Sequence, residues 1–151
     1  MSNTDAIDPG FDLANCRIPL RLAFVDSNEF PRIVSLWFQY TNDVFLCATH
    51  KDSWIVKQLK RSSKVGFEIA SNSPPYQGVR GTGTVDIFPL SEGPLLEELV
   101  SRYLGDGESE FAHFLLKRKK DELVLQINPT KLSSWDYSNR MQGAIKPSLY
   151  S

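Results

Sequence analysis

The sequence predicts a mainly β, α+β chain whose strands close into an antiparallel barrel. Three observations carry this. Five β-type runs follow one another with only one short helical stretch between them. Two amphipathic helical stretches then come in succession, and a last β run returns after them. Strands linked in this hairpin-like way favour a closed antiparallel barrel over a doubly wound parallel sheet. At 151 residues, with 41% hydrophobic and 23% charged residues, the chain is expected to form a single domain over 1–151 with a core of its own.

Residues 1–15 are polar and carry the turn signal Asp8-Pro9-Gly10, so they read as a flexible arm. Residues 18–26 alternate at Leu20, Leu22 and Phe24, the period of a half-buried strand. A turn over 27–31 leads to a second strand at 32–40. Ile33, Ser35, Trp37 and Gln39 share one face of it, and Arg32, Val34, Leu36, Phe38 and Tyr40 the other. Thr41-Asn42-Asp43 breaks the run, and 44–49 is a third strand.

Asp52 or Ser53 is the expected N-cap of a helix over 54–61, with Ile55, Val56 and Leu59 as its apolar stripe and Lys57, Lys60 and Arg61 along it. Residues 64–70 form a fourth strand and 79–88 a fifth. Gly81 and Gly83 inside the fifth signal a bulge, a barrel corner or close approach of another backbone. The helix over 94–103 has Ser91 before it, turns Leu95, Leu96, Leu99 and Val100 inward, and stops at Gly105-Asp106-Gly107. The next, over 108–119, is expected to turn Phe111, Phe114 and Leu115 inward. Its basic end, Lys117 to Lys120, reads as a solvated helix terminus, and His113 as a surface or packing residue. Residues 123–127 are the last clear strand. Pro129 is expected to break it, 131–137 to continue as an extended edge, and 139–151 to be a tail.

Several function classes are disfavoured. A net charge of −1 argues against nucleic acid as the main partner. No apolar run approaches a membrane span, and the first residues lack the charge and hydropathy pattern of a signal peptide, so no membrane partner and a cytoplasmic location are expected. Cys16 and Cys47 are read as reduced thiols, Cys47 in a strand core. No metal-ligand spacing, nucleophile elbow or glycine-rich phosphate loop is present, so no metal site is expected.

What remains is Arg32, Ser35, Thr49, His50, Lys51, Ser53 and Lys57, drawn from two strands and the following helix start. A helix N-terminus favours an anion, and hydroxyls, lysines and an arginine fork around it suit the phosphate of a cofactor.

The ordered stretches PRIVSLWF, FLCATHKDSWIVKQLKRSSKVGFEI, YQGVRGTGTVDIFP and LVLQINPTKLSSWDYS resemble the flavin-binding split-barrel family related to pyridoxamine 5'-phosphate oxidase, over about residues 18–138. The resemblance implies a six-stranded antiparallel split β-barrel with a short inserted helix and two further helices. It implies a homodimer with flavin mononucleotide (FMN) in each of two interface clefts, or a deazaflavin in some branches. It further implies hydride transfer to or from a small-molecule substrate, with donors along the Val34-Ser35 strand stabilising the reduced ring.

Residue by residue, the family's arginine-led strand motif falls on Arg32, Ile33, Val34 and Ser35, its strand-end step on Ala48 and Thr49, and its helix-start serine on Ser53. His50, Lys51 and Lys57 lie around that start. Gln77 and Trp135 match a flavin-contacting glutamine and a C-terminal tryptophan. Two departures matter. Trp54 and Ile55 stand where the family has two basic phosphate ligands. Trp37 and Asn139-Arg140-Met141 stand where true pyridoxamine phosphate oxidases have a lysine and an Arg-x-His, so that substrate is not expected. The aromatics Trp37, Phe38, Trp54 and Trp135 are taken as exposed, in excess of one barrel's needs, and as support for a dimer.

Overall fold

The strand carrying the arginine motif is what closes the sheet. In the computed structural model, which describes residues 11–90, 93–105 and 109–143, the elements are β1 (Leu20–Val25), β2 (Pro31–Leu36), β3 (Phe38–Thr41), β4 (Val44–His50), α1 (Trp54–Arg61), β5 (Lys64–Ala70), β6 (Gln77–Pro89), α2 (Leu95–Leu104), α3 (Glu110–Lys117) and β7 (Glu122–Asp136). All strand pairs are antiparallel, in the order β2-β1-β5-β6-β7-β4-β3. The two edges, β2 and β3, are halves of one segment interrupted only at Trp37. Its first half pairs with β1 (Leu22 opposite Val34) and its second with β4 (Phe38 opposite Cys47). One segment shared by both edges curls the sheet into a barrel. Seven strands are therefore found where six were expected, because the run over 32–40 changes partner in its middle.

The alternation read from the sequence sets the core. Leu20, Leu22, Phe38, Phe45, Cys47, Ile69, Val79, Leu125 and Ile127 are fully buried, and Val34, Leu36 and Tyr40 pack on them. Phe38 is thus a core residue and not an exposed aromatic, and Trp37 is half-buried, stacked on Tyr103 at 5.1 Å. Cys16 and Cys47 are both free. Ile55, Val56 and Leu59 seat α1 on the barrel.

Between β3 and β4, Asn42 and Asp43 both adopt positive φ (50° and 64°), the conformation of a tight hairpin turn whose twist matches the strands. The turn after β1 is built on Asp26, whose carboxylate accepts the backbone N–H groups of Asn28 (2.8 Å) and Phe30 (3.0 Å).

Pro129 does not end the last strand. β7 runs through it with a register shift: Gly83 pairs with Pro129 and Thr82 with Lys131, so Thr130 is the extra residue of a bulge. A bulge is where a strand tolerates a residue without an N–H.

α2 packs on β3, β4 and α3, apart from α1, which packs on β1. α2 buries Leu96, Leu99 and Val100, as its periodicity predicts, with Leu95 half-buried. α3 is turned differently from expectation: Ala112 is buried, Leu115 and Leu116 half-buried, and Phe111 and Phe114 are 54% and 52% exposed. The small Ala112 lets the helix sit close on its neighbours, which points both phenylalanines outward. The arm to residue 10, Ser91, the Asp106-Gly107 stop, the helix start at Glu108 and the tail beyond 143 lie outside the described residues.

Candidate functional site

Five of the residues singled out in the sequence meet in one cavity of about 420 Å³. Ser35 comes from β2, Ala48, Thr49 and His50 from the end of β4, and Ser53 from the start of α1. The opposite wall, from α2, α3 and β7, includes Leu96, Leu99, Phe111, Leu115, Arg118 and Glu122. The volume lies within the range of small-molecule sites.

The polar mouth is at α1. Ser53 is the N-cap residue, but its side chain makes no capping bond. Its hydroxyl instead pairs with Thr49 Oγ1 at 2.9 Å. The first amides of α1 therefore have no side-chain cap, which leaves the usual orphan donors of a helix start. His50 Nδ1 accepts the Asp52 N–H at 3.1 Å, so a neutral ring carries its proton on Nε2.

The remaining predicted residues are placed around this cavity or away from it. Arg32 lies at the other end of β2, bonded to Asp26 Oδ2 at 3.3 Å with its guanidinium 4.4 Å from the Trp54 ring centroid. Trp54, where a basic ligand was expected, is thus the aromatic partner of that arginine. Ile55 is 6% exposed and belongs to the core, so the second position has no route to a ligand. Lys51 Nζ pairs with Asp121 at 3.2 Å. Lys57 is exposed on α1. Val34 faces the core, while Ile33 is 74% exposed and points to the outer face of the sheet.

That outer face has a shallow recess of about 730 Å³, floored by Ala23, Gly66 and Ile33 and edged by Arg21, Glu68, Arg80 and Lys131. Gln77 and Trp135 stand at the far end of β6 and β7, where Gln77 pairs with Asp136 and Gly78 with Trp135. His50 pairs with Glu122 at the opposite end of β7, so Gln77 and Trp135 do not reach the cavity within one chain. Trp135 has Arg80 over its ring at 5.0 Å, and its buried Nε1 makes no hydrogen bond.

Glu122 and Arg118 were not singled out in the sequence, where Arg118 sits in the basic run over 117–120 read as a solvated helix end and Glu122 between that run and the last strand. Burial raises the pKa of the Glu122 carboxyl, against the opposing pull of Arg118 and His50. Among the described residues no cluster of His, Cys, Asp and Glu is arranged to hold a metal ion, and no helix is long and apolar enough to cross a membrane.

No protein-family model and no curated protein sequence matches this chain. Solved structures do. An F420 reductase superposes with a TM-score of 0.67 at 23% identity, covering 84% of this chain and 98% of its own. A conserved hypothetical protein from Mycobacterium tuberculosis superposes with a TM-score of 0.72 at 17% identity, covering 97% of this chain and 96% of its own. A provisionally assigned pyridoxamine 5'-phosphate oxidase from Listeria innocua does so with a TM-score of 0.58 at 16% identity, covering 81% and 90%. The fold is therefore that of the split-barrel proteins of the pyridoxamine 5'-phosphate oxidase type.

Proposed function

We propose that this split-barrel chain binds a flavin-type cofactor, FMN in the first reading, in the cavity between β2, β4, the start of α1 and the α2–α3 pair. It would act there as an oxidoreductase on a small molecule other than pyridoxamine phosphate. The observation that carries the reading is the convergence of Ser35, Ala48, Thr49, His50 and Ser53 on one cavity. Ser35 comes from β2, and Ala48, Thr49, His50 and Ser53 from the junction of β4 with α1, so two separate segments supply the polar side of the cavity.

The residues fit the group. The uncapped first turn of α1, the Thr49–Ser53 hydroxyl pair and the exposed Lys57 are donors and charge for a phosphate. Leu36, Trp37, Leu96, Leu99 and Phe111 are apolar walls for a flat ring. A bound ring would supply the hydride chemistry, and the chain's residues would bind and orient it. Ser35, which lines the cavity from β2, and the β2 backbone would offer donors to a bound ring. The test is the visible absorbance spectrum of freshly purified protein, before and after FMN addition and gel filtration. Retained flavin bands are expected, and a bare spectrum with no thermal shift on FMN addition would reject the reading.

A deazaflavin is the alternative cofactor. Its support is the similarity to an F420 reductase, together with Trp54 and Ile55 at the positions of the basic phosphate ligands. A non-catalytic ligand-binding role on the same fold is the further alternative, resting on those two positions alone. Binding of a deazaflavin with indifference to FMN would favour the former over the first reading.

We also infer a homodimer through the outer face of β2, β1, β5, β6 and β7. Ile33, 74% exposed beside Ala23 and Gly66, is an apolar centre with a charged rim, the pattern of a protein interface. A partner would also explain why Gln77 and Trp135 stand away from the cavity of their own chain: each would serve the partner's site.

A further inference from the structure

The cofactor reading leaves Glu122 and Arg118 of the proposed cavity unused, and the following inference rests on that reading. Glu122 lines the cavity from the first residue of β7, directly across the strand pair from His50. Its side chain is only 6% exposed. The nearest charge is Arg118 Nε, at 3.9 Å from Oε1, beyond hydrogen-bond distance. Arg118 is itself drawn over the Phe114 ring, at 5.2 Å. Among the described residues no protein hydrogen bond reaches the Glu122 carboxyl; its backbone carbonyl accepts the Leu90 N–H at 3.2 Å and its backbone N–H donates to the Lys119 carbonyl. The carboxyl oxygens are not sealed off, since among the described residues the buried side-chain atom lacking a hydrogen-bond partner is Trp135 Nε1; a carboxyl that opens into the cavity with only a long ion pair to Arg118 can bond a ligand there.

We propose that Glu122 binds the cavity's ligand by pairing with adjacent N–H and C=O groups, the edge that the pyrimidine-dione ring of a flavin or deazaflavin presents. A neutral carboxyl offers an O–H donor and a C=O acceptor side by side, which matches such an edge with two hydrogen bonds. An ionised carboxylate has acceptors only and would repel the ring carbonyl.

The surroundings are consistent with a neutral carboxyl persisting above the usual glutamate range. Burial raises the Glu122 pKa, Arg118 from the end of α3 and His50 from β4 lower it, and the neighbouring Asp121 raises it. Lys51 is held by Asp121 and does not neutralise Glu122. Ligand affinity should therefore fall as pH rises through the titration of Glu122.

The test uses the full chain with FMN and N(3)-methyl-FMN, which lacks the N–H, followed by quenching of flavin fluorescence. At mildly acidic pH the wild type should bind FMN at least about fivefold more tightly than the methylated analogue, the effect of one net hydrogen bond. Glu122→Gln, whose amide also pairs a donor with an acceptor, should keep the preference and lose its pH dependence. That variant separates the Glu122 side chain from His50, which is present in both proteins. Glu122→Leu should lose the preference.

Equal binding of the two flavins by the wild type, or a preference surviving in Glu122→Leu, would overturn the assignment of Glu122 while leaving the cofactor reading standing. Failure of the wild type to bind either flavin would overturn the cofactor reading and this inference with it.

Discussion

Gly83→Ala should be among the most damaging single-methyl additions in this barrel. A Cβ at Gly83 would lie 2.5 Å from the carbonyl oxygen of Asn128, 3.1 Å from its carbon and 3.2 Å from Pro129 Cα. All three are backbone atoms, held by the β6–β7 pairing on both sides of the bulge, and none can swing aside as a side chain would. The strands must separate by several tenths of an ångström, in a region where Pro129 already deprives the ladder of one donor. Overpacking costs about 1–3 kcal/mol. Loosening a neighbouring ladder bond adds about 1 kcal/mol. Removing glycine's freedom in the unfolded chain returns about 0.4–1 kcal/mol. A net loss of about 2 kcal/mol is expected, which for a chain of this size lowers the melting temperature by roughly 4–8 °C.

Gly66→Ala is the matched control: its Cβ would meet nothing closer than 3.7 Å, so it should be neutral to slightly stabilising. Urea titration and thermal melting of the three proteins decide the matter. A Gly83→Ala variant within about 0.5 kcal/mol of wild type, the range of ordinary surface changes, would refute the steric argument. So would a Gly66→Ala variant that is equally damaged.

Three further outcomes follow from the same structure. The Asp26 carboxylate has a pKa held below its ordinary value, because the Phe30 and Asn28 amides and Arg32 outweigh the opposing effect of burial. A depressed pKa contributes stability above the unfolded value of about 3.9 that is lost as pH falls through the folded value. Asp26→Asn should therefore be less stable at neutral pH and flatten the acid limb of the stability curve; parallel curves in urea titrations across pH would contradict this. Trp54→Arg restores a basic group at the helix start, so the preference for FMN over riboflavin should rise about tenfold or more, from the roughly 1.5–3 kcal/mol of a charged hydrogen bond. An unchanged ratio in fluorescence titration would show that the phosphate does not lie there. Light scattering at micromolar concentration should give twice the chain mass, and Ile33→Asp on the exposed sheet face should give the monomer; a monomeric wild type would remove the interface.

The elements whose signals are local were legible in the sequence. Alternation at Leu20, Leu22 and Phe24 marked a strand that buries those side chains, and Ile55, Val56 and Leu59 marked the seated face of α1. The close approach at Gly81 and Gly83 was also legible, because an interior strand glycine has few other reasons to be there. Ser35, Thr49 and Ser53 were named as candidates from residue type and strand or helix-start position, and the structure brings them to one cavity.

Three features needed the tertiary structure. The run over 32–40 reads as one strand, since nothing local reports that its halves bond to different partners; barrel closure decides that. Phe111 and Phe114 share a helical stripe with Leu115, but the close seating of Ala112 sets the face that turns inward, and both rings remain outside. In the sequence Glu122 falls between the basic run over 117–120 and the last strand, where nothing marks it. Only the pairing of β7 with β4 carries it opposite His50 and buries it in the cavity. The chain thus encodes periodicity, caps and turns through neighbours in sequence. Which strand pairs with which, and what charge is buried as a result, depends on contacts between residues some seventy positions apart, as with His50 and Glu122.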